Sequence, residues 1–219
     1  MVFAELSIDV SPTMDSSGDS LMLRRGRQQQ RRACILFSAL ELAANGYDSV
    51  HVRTVAERAG VAASTVYRYF SSKDDLLVAC LHDWLIQFEM LSLTEQRQDP
   101  DPYRRLMLLI EKITEDLCAM PRLADAVARA YLYADGAAAA NAELVRQKLS
   151  QMFAQAIGGE QPTRHHRDIG DLVADVWTTK VLAIAQHRSS VSELLRRLEH
   201  AVTIIGLHDT RGLADLRSQ

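Results

Sequence analysis

Cysteine is scarce in this chain: Cys34, Cys80 and Cys118 are the only three in 219 residues. None stands in a CxxC or Cys/His spacing, so neither a zinc site nor a disulfide framework is expected. Each sits in an apolar stretch, where a free thiol normally stays reduced and buried. Proline numbers five and glycine ten, too few for a collagenous or low-complexity chain. No apolar run approaches the ~18 residues needed to span a membrane. Residues 1–10 carry Glu5 and Asp9 and lack a basic stretch ahead of their apolar residues. No secretory signal is therefore expected, and a cytoplasmic place beside the nucleoid is. Nucleotide-binding and nucleophile signatures are missing too: there is no GxSxG, Walker or GxGxxG element with the required strand context. His165-His166-Arg167-Asp168 alone hints at acyl-transfer or metal chemistry, and its polar setting after Pro162 reads as a solvated helix start. Catalytic residues, metal ligands and cofactors are expected to be absent.

What is present is ordinary globular composition, 47% hydrophobic and 24% charged, with charge unevenly placed. The net charge is −3, yet residues 20–75 hold nine cations against five anions, which leaves −7 for the rest. A basic module on an acidic body suits a protein that meets phosphates at one end.

Residues 1–23 are rich in Ser, Asp, Gly and Pro without helical period and read as a flexible leader, with Met14 and Met22 as alternative starts. From Arg27 onward Leu36, Ala39, Leu40 and Ala43 recur at three- and four-residue spacing, and Asn45-Gly46 closes this amphipathic helix. A short helix over about 52–59 follows, then Gly60, then another over about 63–70. Two short helices around a tight glycine turn form a helix-turn-helix pattern. Ser72 is placed to cap a long helix from Lys73, with Asp74 and Asp75 in its first turn favouring the positive helix end. Downstream, every apolar pattern is helical, with breaks at 99–102, 120–121, 135–136, 158–162 and 188–189. The expected fold is all-α with about nine helices. Residues 24–72 would be the DNA-binding domain and 73–210 an effector-binding and dimerisation domain. Residues 168–187 and 191–206 are apolar on more than one face, which predicts an isologous four-helix interface in a homodimer.

The segment TVAERAGVAASTVYRYFSSKDDLL, residues 54–77, together with Gly46-Tyr47, resembles the DNA-binding signature of the TetR family of regulators. The resemblance implies a one-component homodimeric repressor on a palindromic double-stranded operator. In physical terms, Ser64, Thr65 and Arg68 lie at the outward spacing of the second short helix, while Val61, Val66 and Phe70 anchor it inward. Tyr67 offers a hydroxyl to a phosphate, and Arg53 and Thr54 open the preceding helix where backbone contacts fall. Lys73, at a helix start, is placed to hold a phosphate. The resemblance assigns Thr65, Tyr67 and Lys73 to the DNA backbone and puts Ser64 and Arg68 nearer to bases or flanking phosphates. Tyr69 is expected to pack toward the long helix that follows. Two departures stand out: Ala62 and His51 occupy positions where many relatives place Ser and Thr caps. Arg24, Arg25 and Arg27 form a basic arm within reach of a minor groove.

The stretches RAYLYADGAAAA, SQMFAQAI and DVWTTKVLAIAQHRSSVSELLRRLEHAV are similar to those of the actinobacterial regulators of cholesterol catabolism within this family. That narrower resemblance implies a small hydrophobic effector, a steroid CoA thioester. A fatty acyl-CoA or another apolar inducer, as in an efflux regulator, is the alternative, and an acyl-CoA enzyme the remote one. Phe88, Leu91, Met107, Ile110, Met120, Tyr131, Met152, Phe153 and Trp177 are the candidate lining of a cavity between the middle helices. Arg122 and Arg129 are the candidate cations for CoA phosphates. Nothing in the residues chooses between repression and activation, which depends on operator position.

Overall fold

The computed structural model describes the backbone of residues 19–96 and 99–216 and the side chains of residues 25–91 and 99–208. The described residues contain nine α-helices, one 3-10 turn and no strand. The all-α expectation therefore holds.

The first helix, α1 (Asp19–Ala43), begins inside the expected leader, whose residues 1–18 lie outside the described ones. Its buried residues Ile35, Leu36, Ala39, Leu42 and Ala43 recur at helical spacing. Gly46 turns the chain at φ 106, a value that strains any residue with a Cβ. A 3-10 turn over Tyr47–Ser49, which periodicity did not reveal, leads into α2 (Val52–Arg58). Gly60, at φ 65, then directs the chain into α3 (Ala63–Tyr69). The turn is closed by Val61 N–H donating to Ala56 C=O at 2.9 Å, a bond that satisfies a carbonyl at the helix end. Val55, Ala56, Val66 and Phe70 fill the space between α1, α2, α3 and the start of α4.

The long α4 (Lys73–Gln96) runs from this head into the remaining helices. Ser72 caps it, accepting from Asp75 N–H at 3.0 Å. The others are α5 (Pro102–Cys118), α6 (Pro121–Leu132), α7 (Gly136–Gly158), α8 (Arg164–Ala185) and α9 (Val191–Leu216). Their boundaries fall at the predicted Pro, Gly and Asp breaks because those residues end helices by removing a donor, admitting positive φ or supplying a cap. At α5, Asp101 accepts from Tyr103 N–H at 2.9 Å, and Pro102 occupies the first turn. The His165-His166 stretch does open a helix, but His166 is not merely solvated. It forms a capping box with Thr163 at the start of α8.

Helix α7 packs most extensively, on α8 and on α4. Gly170 permits the α7–α8 approach, since a Cβ there would stand 2.5 Å from the Ser150 carbonyl. The cysteine expectation holds for Cys80, which is fully buried, while Cys118 is half-buried and Cys34 is exposed. Cys34 lies on the outer face of α1, one residue before the buried Ile35–Leu36 pair, a placement its apolar neighbours in sequence conceal. No helix among the described residues is long and apolar enough to cross a membrane.

Candidate nucleic-acid interface and effector pocket

In α3 the inward side is anchored by Val66 and Phe70, 1% and 3% exposed, while Ser64, Tyr67 and Arg68 face outward. Tyr67 is 57% exposed, a large ring left in water with no packing reason to be there. Thr65 is half-buried beside them, and Arg53 and Thr54 open α2. Among the described residues, Arg53 and Arg68 have no carboxylate partner. By contrast Arg58 meets Glu41 at 3.8 Å, and Arg32 meets Asp83 at 3.7 Å while lying over the Phe70 ring. The cations of the head without a carboxylate partner among the described residues thus include Arg53 and Arg68 on α2–α3, the latter over the Tyr69 ring at 5.8 Å, and Arg25, Arg27 and Arg31 on α1. Neither Ala62 nor His51 makes a side-chain cap bond, as the two sequence departures imply. Tyr69 is half-buried against the core. Its hydroxyl reaches back to α1, donating to Gln28 C=O at 3.4 Å. Arg25 and Arg27 are exposed on α1; the Arg24 side chain lies outside the described residues.

Lys73 is not a free-swinging charge. Its Nζ lies 3.6 Å from the Tyr47 ring centroid and donates to Tyr47 C=O at 3.2 Å. Arg129 of α6 also approaches that ring, at 4.4 Å, and pairs with Asp48 at 3.9 Å. Tyr47 OH donates to Asp74 at 2.6 Å. Two cations on one aromatic ring are mutually repulsive, so the flanking carboxylates of Asp48 and Asp74 offset the arrangement. Burial, and then the bond to Asp74, push the Tyr47 phenol up from 10.0 to about 12. An acid whose folded value is raised contributes stability that is intact below its unfolded value and lost as pH rises through the folded one. Thermal stability is therefore expected to fall between pH 10 and about 12 more steeply in the native chain than in Tyr47→Phe. Melting curves across that range check it, and parallel pH profiles would count against it.

One residue further along α4, the buried Asp75 carboxylate accepts from Ser71 N–H at 2.7 Å and Ser71 Oγ at 3.0 Å. Asn141 of α7 donates to its other oxygen at 2.5 Å. The turn between α3 and α4 is therefore tied to α6 through Arg129 and to α7 through Asn141.

Helices α4 to α8 line a partly open cavity of about 30 Å³. Its walls are Leu81, Leu117, Ala124, Val127, Ala128, Tyr131, Val145, Leu149, Trp177, Thr178, Val181 and Leu182. Of the nine residues expected to line an effector site, the structure places Tyr131 and Trp177 here. Phe88, Ile110, Met152 and Phe153 are core, Met107 and Met120 pack on its edge, and Leu91 is 60% exposed. Six of these seven fill space elsewhere in or beside the core, and Leu91 faces solvent; the cavity opens where the short side chains of Ala124, Ala128 and Thr178 stand among larger ones. Ala124 and Ala128, four apart on α6, are the signal that reading for Met and aromatic residues missed. The Trp177 indole, expected to serve a ligand, is already used, donating to Thr114 Oγ1 at 2.9 Å. A larger groove of about 230 Å³ adjoins the cavity at Ala128 and Leu182, lined also by Asp125, Arg129, Leu132, Tyr133, Ala185 and Gln186. Arg129 is thus at the cavity's mouth, while Arg122 is exposed at the start of α6.

Residues 35–80 match the model for bacterial regulatory proteins of the tetR family, and residues 100–205 match the tetracyclin repressor-like C-terminal domain. The chain belongs to the TetR family and is a helix-turn-helix DNA-binding regulator rather than an enzyme. Within that family it is similar to the HTH-type transcriptional repressor KstR of Rhodococcus jostii, 36% identical over 185 residues, 84% of this chain and 86% of that protein. KstR of Mycobacterium tuberculosis is 34% identical over 179 residues, 81% of each chain. A solved TetR transcriptional regulator from Rhodococcus sp. RHA1 superposes with a TM-score of 0.71 at 26% identity, over 81% of this chain and 96% of that one.

Proposed function

We propose that this protein is a homodimeric repressor released from its operator by an apolar CoA thioester arising from sterol breakdown. The observation that carries the reading is the similarity to KstR repressors over more than four fifths of the chain, effector helices included. The almost wholly apolar cavity between α4 and α8 supports an apolar effector. Residues 24–72 act as the DNA-binding domain and 73–210 as the effector and dimer domain. Arg53, Thr54, Ser64, Thr65, Tyr67 and Arg68 contact DNA, and Lys73, pinned to Tyr47, presents a fixed charge to a phosphate. The dimer forms through α8 and α9, whose Leu172, Ile204 and Leu207 are each more than half exposed in the single chain.

Two recognition helices must lie about 34–36 Å apart to enter successive major grooves. An effector that binds better to a differently spaced dimer shifts the population off DNA. Leu81, the α4 residue in the cavity wall, lies eight residues or roughly 12 Å from the Lys73 end of α4, so a tilt of about 10° at the cavity moves the start of the helix by roughly 2 Å. Fluorescence anisotropy on labelled DNA from upstream of the protein's own gene tests this, with a cholesterol-derived CoA thioester titrated in. Salt-dependent binding followed by release at low thioester concentration is expected. Binding that the thioester leaves untouched, with release by a fatty acyl-CoA instead, would reassign the effector. Failure to bind that DNA at all would count against autoregulation.

A further inference from the structure

Every mid-helix threonine whose hydroxyl bond is recorded among the described residues returns it to the carbonyl four residues back. Thr114 donates to Ile110 at 2.6 Å, Thr179 to Asp175 at 2.8 Å and Thr203 to Glu199 at 2.8 Å. This is the ordinary solution for a threonine inside a helix, because the backbone acceptor is always in reach. Thr178 of α8 departs from it. Its Oγ1 is buried and has no partner among the described residues. Leaving a buried hydroxyl unpaired costs about 1–3 kcal/mol, so each such group in a folded protein calls for a reason. Thr178 also lines the cavity between α6 and α8, whose other walls are almost entirely hydrocarbon. The adjacent polar atom, the Trp177 indole nitrogen, is spent on Thr114.

We propose that Thr178 is a specificity-determining residue, whose hydroxyl pairs with a single oxygen, a ketone or hydroxyl, on the otherwise apolar body of the effector. The inference rests on the reading of this cavity as the effector site, but not on the effector being a sterol. An apolar body provides the affinity by filling the cavity as it opens, and the oxygen provides the selection. A ligand of the same shape without the oxygen buries Thr178 still unpaired, and so is discriminated against. Sites built around a buried hydrogen-bonding group reject analogues lacking the partner more strongly than apolar pockets reject a missing methylene.

The test uses the full-length protein and tryptophan fluorescence, since Trp177 stands in the cavity wall. Two matched pairs of probes are titrated: steroid-acid CoA thioesters with and without a ring ketone, and long-chain acyl-CoAs with and without a terminal hydroxyl. The native chain is expected to prefer the oxygenated member of at least one pair by about tenfold, equivalent to ~1.4 kcal/mol. Thr178→Val should erase that preference by weakening the oxygenated ligand alone, and Thr178→Ser should restore it. Without ligand, Thr178→Val should melt no lower than the native chain, since the hydroxyl it removes makes no bond; a purely structural hydroxyl would lower it. Preference for the oxygenated member that survives Thr178→Val, or no preference in either pair, overturns the proposal. Preference confined to the acyl-CoA pair, with no binding of steroid thioesters, retains Thr178 as the selector and rejects the sterol reading. Failure of all four probes to perturb the tryptophan fluorescence or the melting temperature overturns both.

Discussion

Arg68→Glu is expected to weaken operator binding roughly a hundredfold or more, the largest effect of any single exposed substitution in the head. A lost phosphate or base contact costs about 1–3 kcal/mol, the charge reversal adds repulsion, and a dimer pays at both half-sites. Arg68 has no carboxylate partner among the described residues and lies on the outer face of α3, over the Tyr69 ring at 5.8 Å and in the last helical turn, so the fold should lose only about 1 kcal/mol from the stacking and the helix dipole. Circular dichroism should match the native chain and the melting temperature fall by only a few degrees while anisotropy records the loss. If Arg68 meets phosphate, Arg68→Ala also lowers the slope of log affinity against log salt by about one per half-site. Affinity within about threefold of native for Arg68→Glu would remove this residue from the interface.

Asp75→Ala should do the reverse, damaging the fold first. Its carboxylate accepts three hydrogen bonds in a buried place, two from Ser71 and one from Asn141. Removing it takes the acceptor from the half-buried Asn141 side chain and leaves the exposed Ser71 donors to water, at a cost of about 3 kcal/mol. For a chain of this size that corresponds to a fall of roughly 6–12 °C in melting temperature. Asp75→Asn, which keeps one acceptor oxygen, should fall less. Asn141→Ala removes only the α7 end of the tie. It should leave operator binding close to native while weakening the response to effector, because the head then no longer follows α7. A melting temperature for Asp75→Ala within about 2 °C of native would show that water replaces the lost bonds.

The head was legible because its information is local. Glycines needing positive φ, a serine capping Lys73–Asp75 and apolar residues at helical spacing all sit within a few residues of the feature they specify. The same holds for the helix ends at Pro102, Pro121 and Gly159. The 3-10 turn at Tyr47–Ser49 was missed because three residues carry no period. Its role depends on Arg129, 82 positions away. The cavity was misread for a related reason: which faces of α6 and α8 meet is decided by packing across 50 residues of chain. Leu91 and Phe88 share a helix, yet one ends in water and the other at the centre of the core. Tyr131 and Trp177 were found because they are large and amphipathic. Ala124, Ala128 and Thr178, whose small size makes the space, look like unremarkable helix surface until α8 is laid against α6.

On the proposed effector reading, the small volume of that cavity is expected to set the tempo of the response. Pockets for drug-sized ligands run to roughly 300–1,000 Å³, and about 30 Å³ is open between α6 and α8. On that reading a ligand first meets the adjoining groove of about 230 Å³ and enters the cavity as α6 and α8 part, so its association is expected to fall below the ~10⁵–10⁷ M⁻¹s⁻¹ usual for docking onto a preformed surface. Its escape is then expected to need the same opening. A regulator working in this way would average over brief pulses of metabolite and answer to sustained supply, with the residence time of the ligand as its memory.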